Sequence, residues 1–210
     1  ANANFGAGPI GNQNFDTGVE NLPDHPARLT GQKVPVDDGL GVPGDKTFNT
    51  PPLVEAADTP PFFHNNAVAT IEAAVAFYNG DSFNNSPAGR VLAGATGSGI
   101  KLDATQVQAL ASFLRVINAL ENIRQATELL QTARKSGGGR EPGSPLRQAI
   151  AETAQAARVL IDADLHPQAV AHLERARAAA RRALHGWVAR EKRLDDAVAA
   201  LAAARGELVQ

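Results

Sequence analysis

The residues best suited to chemistry stand between Lys46 and Asn79. Lys46-Thr-Phe-Asn-Thr-Pro-Pro-Leu-Val54 is followed by Asp58-Thr-Pro-Pro-Phe-Phe-His64-Asn-Asn, and then by a segment ending Phe77-Tyr78-Asn79. Phe48, Pro51, Leu53, Phe62, Phe63 and Phe77 would supply apolar walls, and His64 and Tyr78 would add one imidazole and one phenol. An apolar pocket on which few polar groups converge suits a flat hydrophobic cofactor. Plainer roles stand beside that one: a histidine after two phenylalanines commonly anchors a loop, and a tyrosine closing a helix commonly packs with its hydroxyl satisfied.

Other groups offer less. Gly94-Ala-Thr-Gly97-Ser-Gly99 is glycine-rich, but Ile-Lys-Leu-Asp follows it where a phosphate-binding loop needs Gly-Lys-Ser/Thr. His166, His172 and His185 form no metal-ligand spacing with one another or with a carboxylate. Arg175, Arg177, Arg181 and Arg182 make a basic stripe, yet Glu174 and Glu191 interrupt it and no aromatic residue interleaves for base stacking, so no nucleic-acid partner is expected. The chain has no cysteine, which removes disulfides, thiolate metal sites and thiol nucleophiles; it has no methionine either.

The elements that must position these residues differ along the 210 residues. Ten of the 13 prolines lie at or before Pro87, and residues 1–125 hold 7 basic and 12 acidic residues against 13 and 10 in 126–210. Residues 1–60 read as irregular chain rich in turn residues, with no strand, and a loop of that length suggests wrapping around a ligand. A short helix is expected from Thr70 as N-cap through Ile71, Ala74, Val75 and Tyr78 on one face, with Glu72 in its first turn. Asp81 to Gly99 reads as loop. Asp103 caps a longer helix in which Val107, Leu110, Ala111, Leu114, Ile117 and Leu120 keep the helical period, running on to about Lys135.

A Gly/Pro-rich linker at 136–145 precedes three amphipathic helices at about 146–163, 167–185 and 187–205. Leu146, Ile150, Ala157, Leu160 and Ile161 line one of them; Val170, Leu173, Ala176, Ala180 and Leu184 line the next. The fold class expected is mostly α, with a loop-rich region over 1–122 and a small antiparallel helical bundle over 123–210. No uninterrupted apolar run is long enough to span a bilayer.

The ordered elements Phe48-Asn-Thr50-Pro51-Pro-Leu53, Thr59-Pro-Pro-Phe-Phe63-His64-Asn65-Asn66 and Thr70 to Tyr78 resemble the C-terminal haem domain of bacterial dihaem cytochrome c peroxidases and their MauG-type relatives. Asn14-Phe-Asp-Thr-Gly-Val19 and the helix from Asp103 extend the likeness over about 1–122, which would make that region a partial cytochrome c-like domain. The resemblance implies a periplasmic oxidoreductase with haem c as cofactor, peroxide as oxidant and an electron-donor protein as partner. It also implies that Ala1 lies just downstream of a C-x-x-C-H attachment motif.

The axial position that many relatives give to methionine falls on Tyr78, which resembles the MauG-type branch. A phenolate there would favour ferric iron and lower the potential. His64 would line the haem pocket or bond a propionate or a loop. Val54-Glu55 replaces the Arg-Asn that usually follows the T-P-x-L element. Asp37-Asp38 falls where relatives bind calcium, although two adjacent carboxylates read as well as a solvated turn. Two alternatives stay open: an electron carrier with a six-coordinate haem, and a non-enzymatic helical interaction module.

Overall fold

The computed structural model describes residues 14–19, 22, 48–49, 52–135, 143–185 and 189–209. Pro51, the Asp37-Asp38 pair and residues 136–142 of the linker lie outside them. The protein is mostly α-helical. Two two-residue strands, β1 (Asn14–Phe15) and β2 (Phe48–Asn49), pair antiparallel with Phe15 opposite Phe48. This corrects the expectation of no strand in 1–60; a two-residue strand is too short to leave a period in the sequence.

Among the described residues seven α-helices follow: α1 (Ile71–Phe77), α2 (Asp81–Asn84), α3 (Pro87–Thr96), α4 (Ala104–Lys135), α5 (Gly143–Ile161), α6 (Pro167–His185) and α7 (Arg190–Leu208). Thr70 caps α1 as expected, its side-chain oxygen accepting from Ala73 N at 3.2 Å. Asp103 opens α4 with a reciprocal box: it accepts from Gln106 N, and the Gln106 side chain accepts from Asp103 N, both at 2.9 Å.

The expected loop over 81–99 is corrected, because α2 and α3 occupy most of it. Ser86 caps α3 by accepting from Gly89 N at 3.0 Å, Pro87 takes a first-turn position, and Gly97 ends the helix at φ 81°. The Asn, Ser and Gly residues that read as loop are its caps and its close-packing positions.

The chain divides into two compact units, one of residues up to Pro52 with Thr59–Ala111, the other of Leu53–Asp58 with Ser112–Gln210. The first unit has a small aromatic core of Val19, Phe77 and Phe83, with Leu22, Phe63, Tyr78, Leu92 and Ile100 packed on it. The second buries Ile123, Leu130, Leu146, Leu160, Leu173, Leu194 and Leu201 among many alanines of α4, α5, α6 and α7. Small side chains let neighbouring helix backbones approach, so large leucines fill layers between them.

Short connections make α5, α6 and α7 antiparallel neighbours, and Arg193 of α7 donates to the carbonyl of Arg182 of α6 at 2.8 Å. Two predicted facing residues are corrected: Ile161 is 55% exposed at the end of α5, where the chain turns away, and Leu110 is 42% exposed on α4. Among the described residues no helix is long and apolar enough to cross a membrane.

Candidate functional site

Tyr78 is the C-cap of α1, its N–H donating to Val75 O at 3.2 Å. Its ring meets three phenylalanines edge to face: Phe83 at 4.9 Å between centroids, Phe77 at 5.3 Å and Phe63 at 6.2 Å. Phe63 in turn packs on Phe77 at 4.8 Å. Such tilted pairs place positive ring edges against negative ring faces and lock the cluster geometrically.

Burial pushes the Tyr78 phenol above its ordinary pKa of 10.0. Its hydroxyl has no hydrogen-bond partner among the described residues. Tyr78 is half-buried, and its ring lies against an apolar wall.

A tight turn over 62–68 brings Phe63 to the cluster. Phe62 N donates to Val68 O at 2.6 Å, Asn66 N donates to Phe63 O at 3.2 Å, and the Asn65 side chain accepts from Ala67 N at 3.1 Å. Phe63 sits at φ 67°, a left-handed backbone that a bulky residue adopts only when its surroundings hold it there. The contact with Phe77 supplies that hold. His64, next on the turn, is exposed and stacks face to face on Phe48, with centroids 3.5 Å apart and planes 9° apart.

The structure thus brings together Tyr78, Phe63 and Phe77, and separately pairs His64 with Phe48. Phe62 is half-buried at the base of the turn. Leu53 belongs to the other unit and is 62% exposed; Pro51 lies outside the described residues. Phe83, 6% exposed, was missed as a wall of this cluster because its segment reads as loop. The spacing of Phe83 from Tyr78 across an Asn-Gly turn was the available signal.

In the second unit, Leu53–Asp58 forms a short strap that includes a 3-10 turn at Ala56–Asp58. Asn118 of α4 accepts from Ala57 N at 3.0 Å, and Gln125 donates to Glu55. Glu152 of α5 has its pKa raised by partial burial first, and then by repulsion from Glu55, Asp58 and Glu121. Glu121 is held low, chiefly by its hydrogen bond from Arg124. Among the described residues no group of three or more His, Cys, Asp or Glu side chains is arranged to hold a metal ion.

No family model, no curated protein and no solved structure matches this chain.

Proposed function

We propose that this chain is the C-terminal part of a periplasmic dihaem c-type cytochrome of the cytochrome c peroxidase and MauG-type family, with Tyr78 as axial ligand of one haem. The observation that carries the reading is the half-buried Tyr78 phenol, packed edge to face against Phe63, Phe77 and Phe83. The ordered likeness of Phe48–Leu53, Thr59–Asn66 and Thr70–Tyr78 supports it.

The donor set fits the group. A phenol oxygen is a hard ligand for ferric iron, and a phenylalanine cluster is a surface on which a porphyrin edge can pack. The bound haem supplies redox-active iron through which electrons from a donor protein would reach peroxide. Covalent attachment of the haem would need cysteines, and these 210 residues contain none.

Within the chain, packing against Phe63, Phe77 and Phe83 partly shields the phenol from water, and that raises its pKa. Tyr78 would hold the group through its phenol oxygen, and burial favours the neutral phenol. His64 is exposed and stacked on Phe48, and in this reading it lines the haem pocket or bonds a propionate or a loop. No role for calcium rests on any described residue.

The test is the visible and electron paramagnetic resonance spectrum of the ferric full-length protein, wild type against Tyr78→Phe. We expect a phenolate-to-iron charge-transfer band that Tyr78→Phe abolishes, with the potential of that haem moving upward. A full-length protein purified without haem, or a Tyr78→Phe spectrum identical to wild type, would overturn the reading. Retained ligation without peroxide turnover would make the protein an electron carrier.

A further inference from the structure

Two asparagines beside Tyr78 make a pattern of hydrogen bonds that helix formation does not require. Asn79 donates from Nδ2 to Leu102 O at 2.8 Å and accepts at Oδ1 from Leu102 N at 2.7 Å. Asn84 treats Ile100 in the same way, accepting from its N at 2.9 Å and donating to its O at 3.0 Å.

A primary amide offers an acceptor and donors in one plane, much as a peptide group does. In extended chain, the N–H and C=O of residues two apart point to the same edge. Asn79 and Asn84 therefore bind one edge of the 100–102 segment as a neighbouring strand would. Asn84 also donates to Asn79 O and Gly80 O, each at 3.2 Å, and so holds the two carbonyls that follow the tyrosine's own. Gly99 permits the approach, because a Cβ there would lie 2.5 Å from Asn84 Oδ1.

We propose that Asn79 and Asn84 form an amide clamp that positions the Tyr78 phenol, a proposal that rests on the haem reading above. A helix as short as Ile71–Phe77 is marginal by itself, and its last residues fray first. Tyr78 stands at that fraying end. Tying the following residue to Leu102, just before the capped start of α4, holds the phenol in one place and sets the reach of its oxygen. Asn79 and Asn84 touch no reacting atom and act only through Tyr78.

Tyr78 is the only tyrosine in the chain, so its ring resonances can be identified directly by nuclear magnetic resonance. Wild type, Asn79→Ala and Asn84→Ser would be compared in this chain, with circular dichroism confirming that each is folded. In the variants those resonances should broaden and move toward their free positions as the ring loses its single setting. The Leu102 amide should exchange about tenfold faster in Asn79→Ala.

In the ferric full-length protein, either variant should split the charge-transfer band into two species. Folded variants with wild-type ring resonances, exchange and band would overturn the clamp while leaving Tyr78 ligation standing. A haem spectrum indifferent to Tyr78→Phe would instead overturn the haem reading, and with it the purpose assigned to the clamp. If Asn79→Ala does not fold, Asn84→Ser alone decides between these outcomes.

Discussion

Asn122 donates its side-chain amide to Oδ2 of Asp58 at 3.0 Å across 64 positions of sequence. Asn118, one turn earlier on α4, donates to the same oxygen at 2.5 Å. Both asparagines are buried, at 1% and 0% exposure, in a helix whose other buried positions are apolar. Their amides are satisfied only because the strap brings a carboxylate to them. Removing that acceptor leaves two buried donors without a partner, which costs more than the bonds themselves contribute. Asp58→Ala should therefore destabilise by about 3 kcal/mol, and Asp58→Asn, which keeps an acceptor, by about 1 kcal/mol. Urea unfolding checks this; an alanine variant as stable as wild type would mean that the strap is only laid on the helix.

Glu152 carries the pH dependence of the same region. Its folded pKa is raised above the ordinary 4.5, first by burial and then by Glu55, Asp58 and Glu121. The folded state then binds the proton more tightly than the unfolded state. Its contribution to stability is present below 4.5 and is lost as pH rises through the raised value. Glu152→Gln should flatten the dependence of melting temperature on pH above 4.5, most clearly at low salt because the site is partly solvated. Parallel wild-type and Glu152→Gln curves would refute the assignment.

Burial separates two leucines that the sequence pattern treats alike. Leu173 is 0% exposed in the bundle core and Leu110 is 42% exposed on α4. Leu173→Ala should cost about 2–5 kcal/mol, from lost transfer energy and an unfilled cavity. Leu110→Ala should cost well under about 1 kcal/mol, since much of its surface is already in water. Denaturant midpoints of the two variants measure the difference, and equal losses would contradict the packing described for this bundle.

Gly89 and Gly94 both lie in α3, yet alanine should have opposite effects at the two. A Cβ at Gly89 would stand 2.1 Å from Phe83 O, a backbone atom that cannot swing aside, whereas nothing lies within 4 Å at Gly94. Gly89→Ala should destabilise by about 1–3 kcal/mol and disturb Phe83 beneath Tyr78. Gly94→Ala should stabilise by about 0.5–1 kcal/mol through helix propensity. Thermal melts of the pair distinguish them, and a tolerated Gly89→Ala would show that α3 can shift away from Phe83.

The amino-acid sequence by itself determined the helices of the second half and the caps of the first. Periodic leucines and alanines, Pro167 opening α6, and Thr70 and Asp103 as caps are local signals, each legible from a few neighbouring residues. The same locality explains the failure over 81–99, where glycine and asparagine read as loop while Gly89 is there for close packing and Asn84 for its grip on Ile100. Tyr78 was legible as a lone phenol in an aromatic stretch, and His64 as the imidazole beside it. Only the tertiary structure decided that Phe83 completes the wall around Tyr78, that His64 stands exposed on Phe48, and that Asp58 answers Asn118 and Asn122. Those pairings join residues through space with no period between them, so they exist only once the chain has closed on itself.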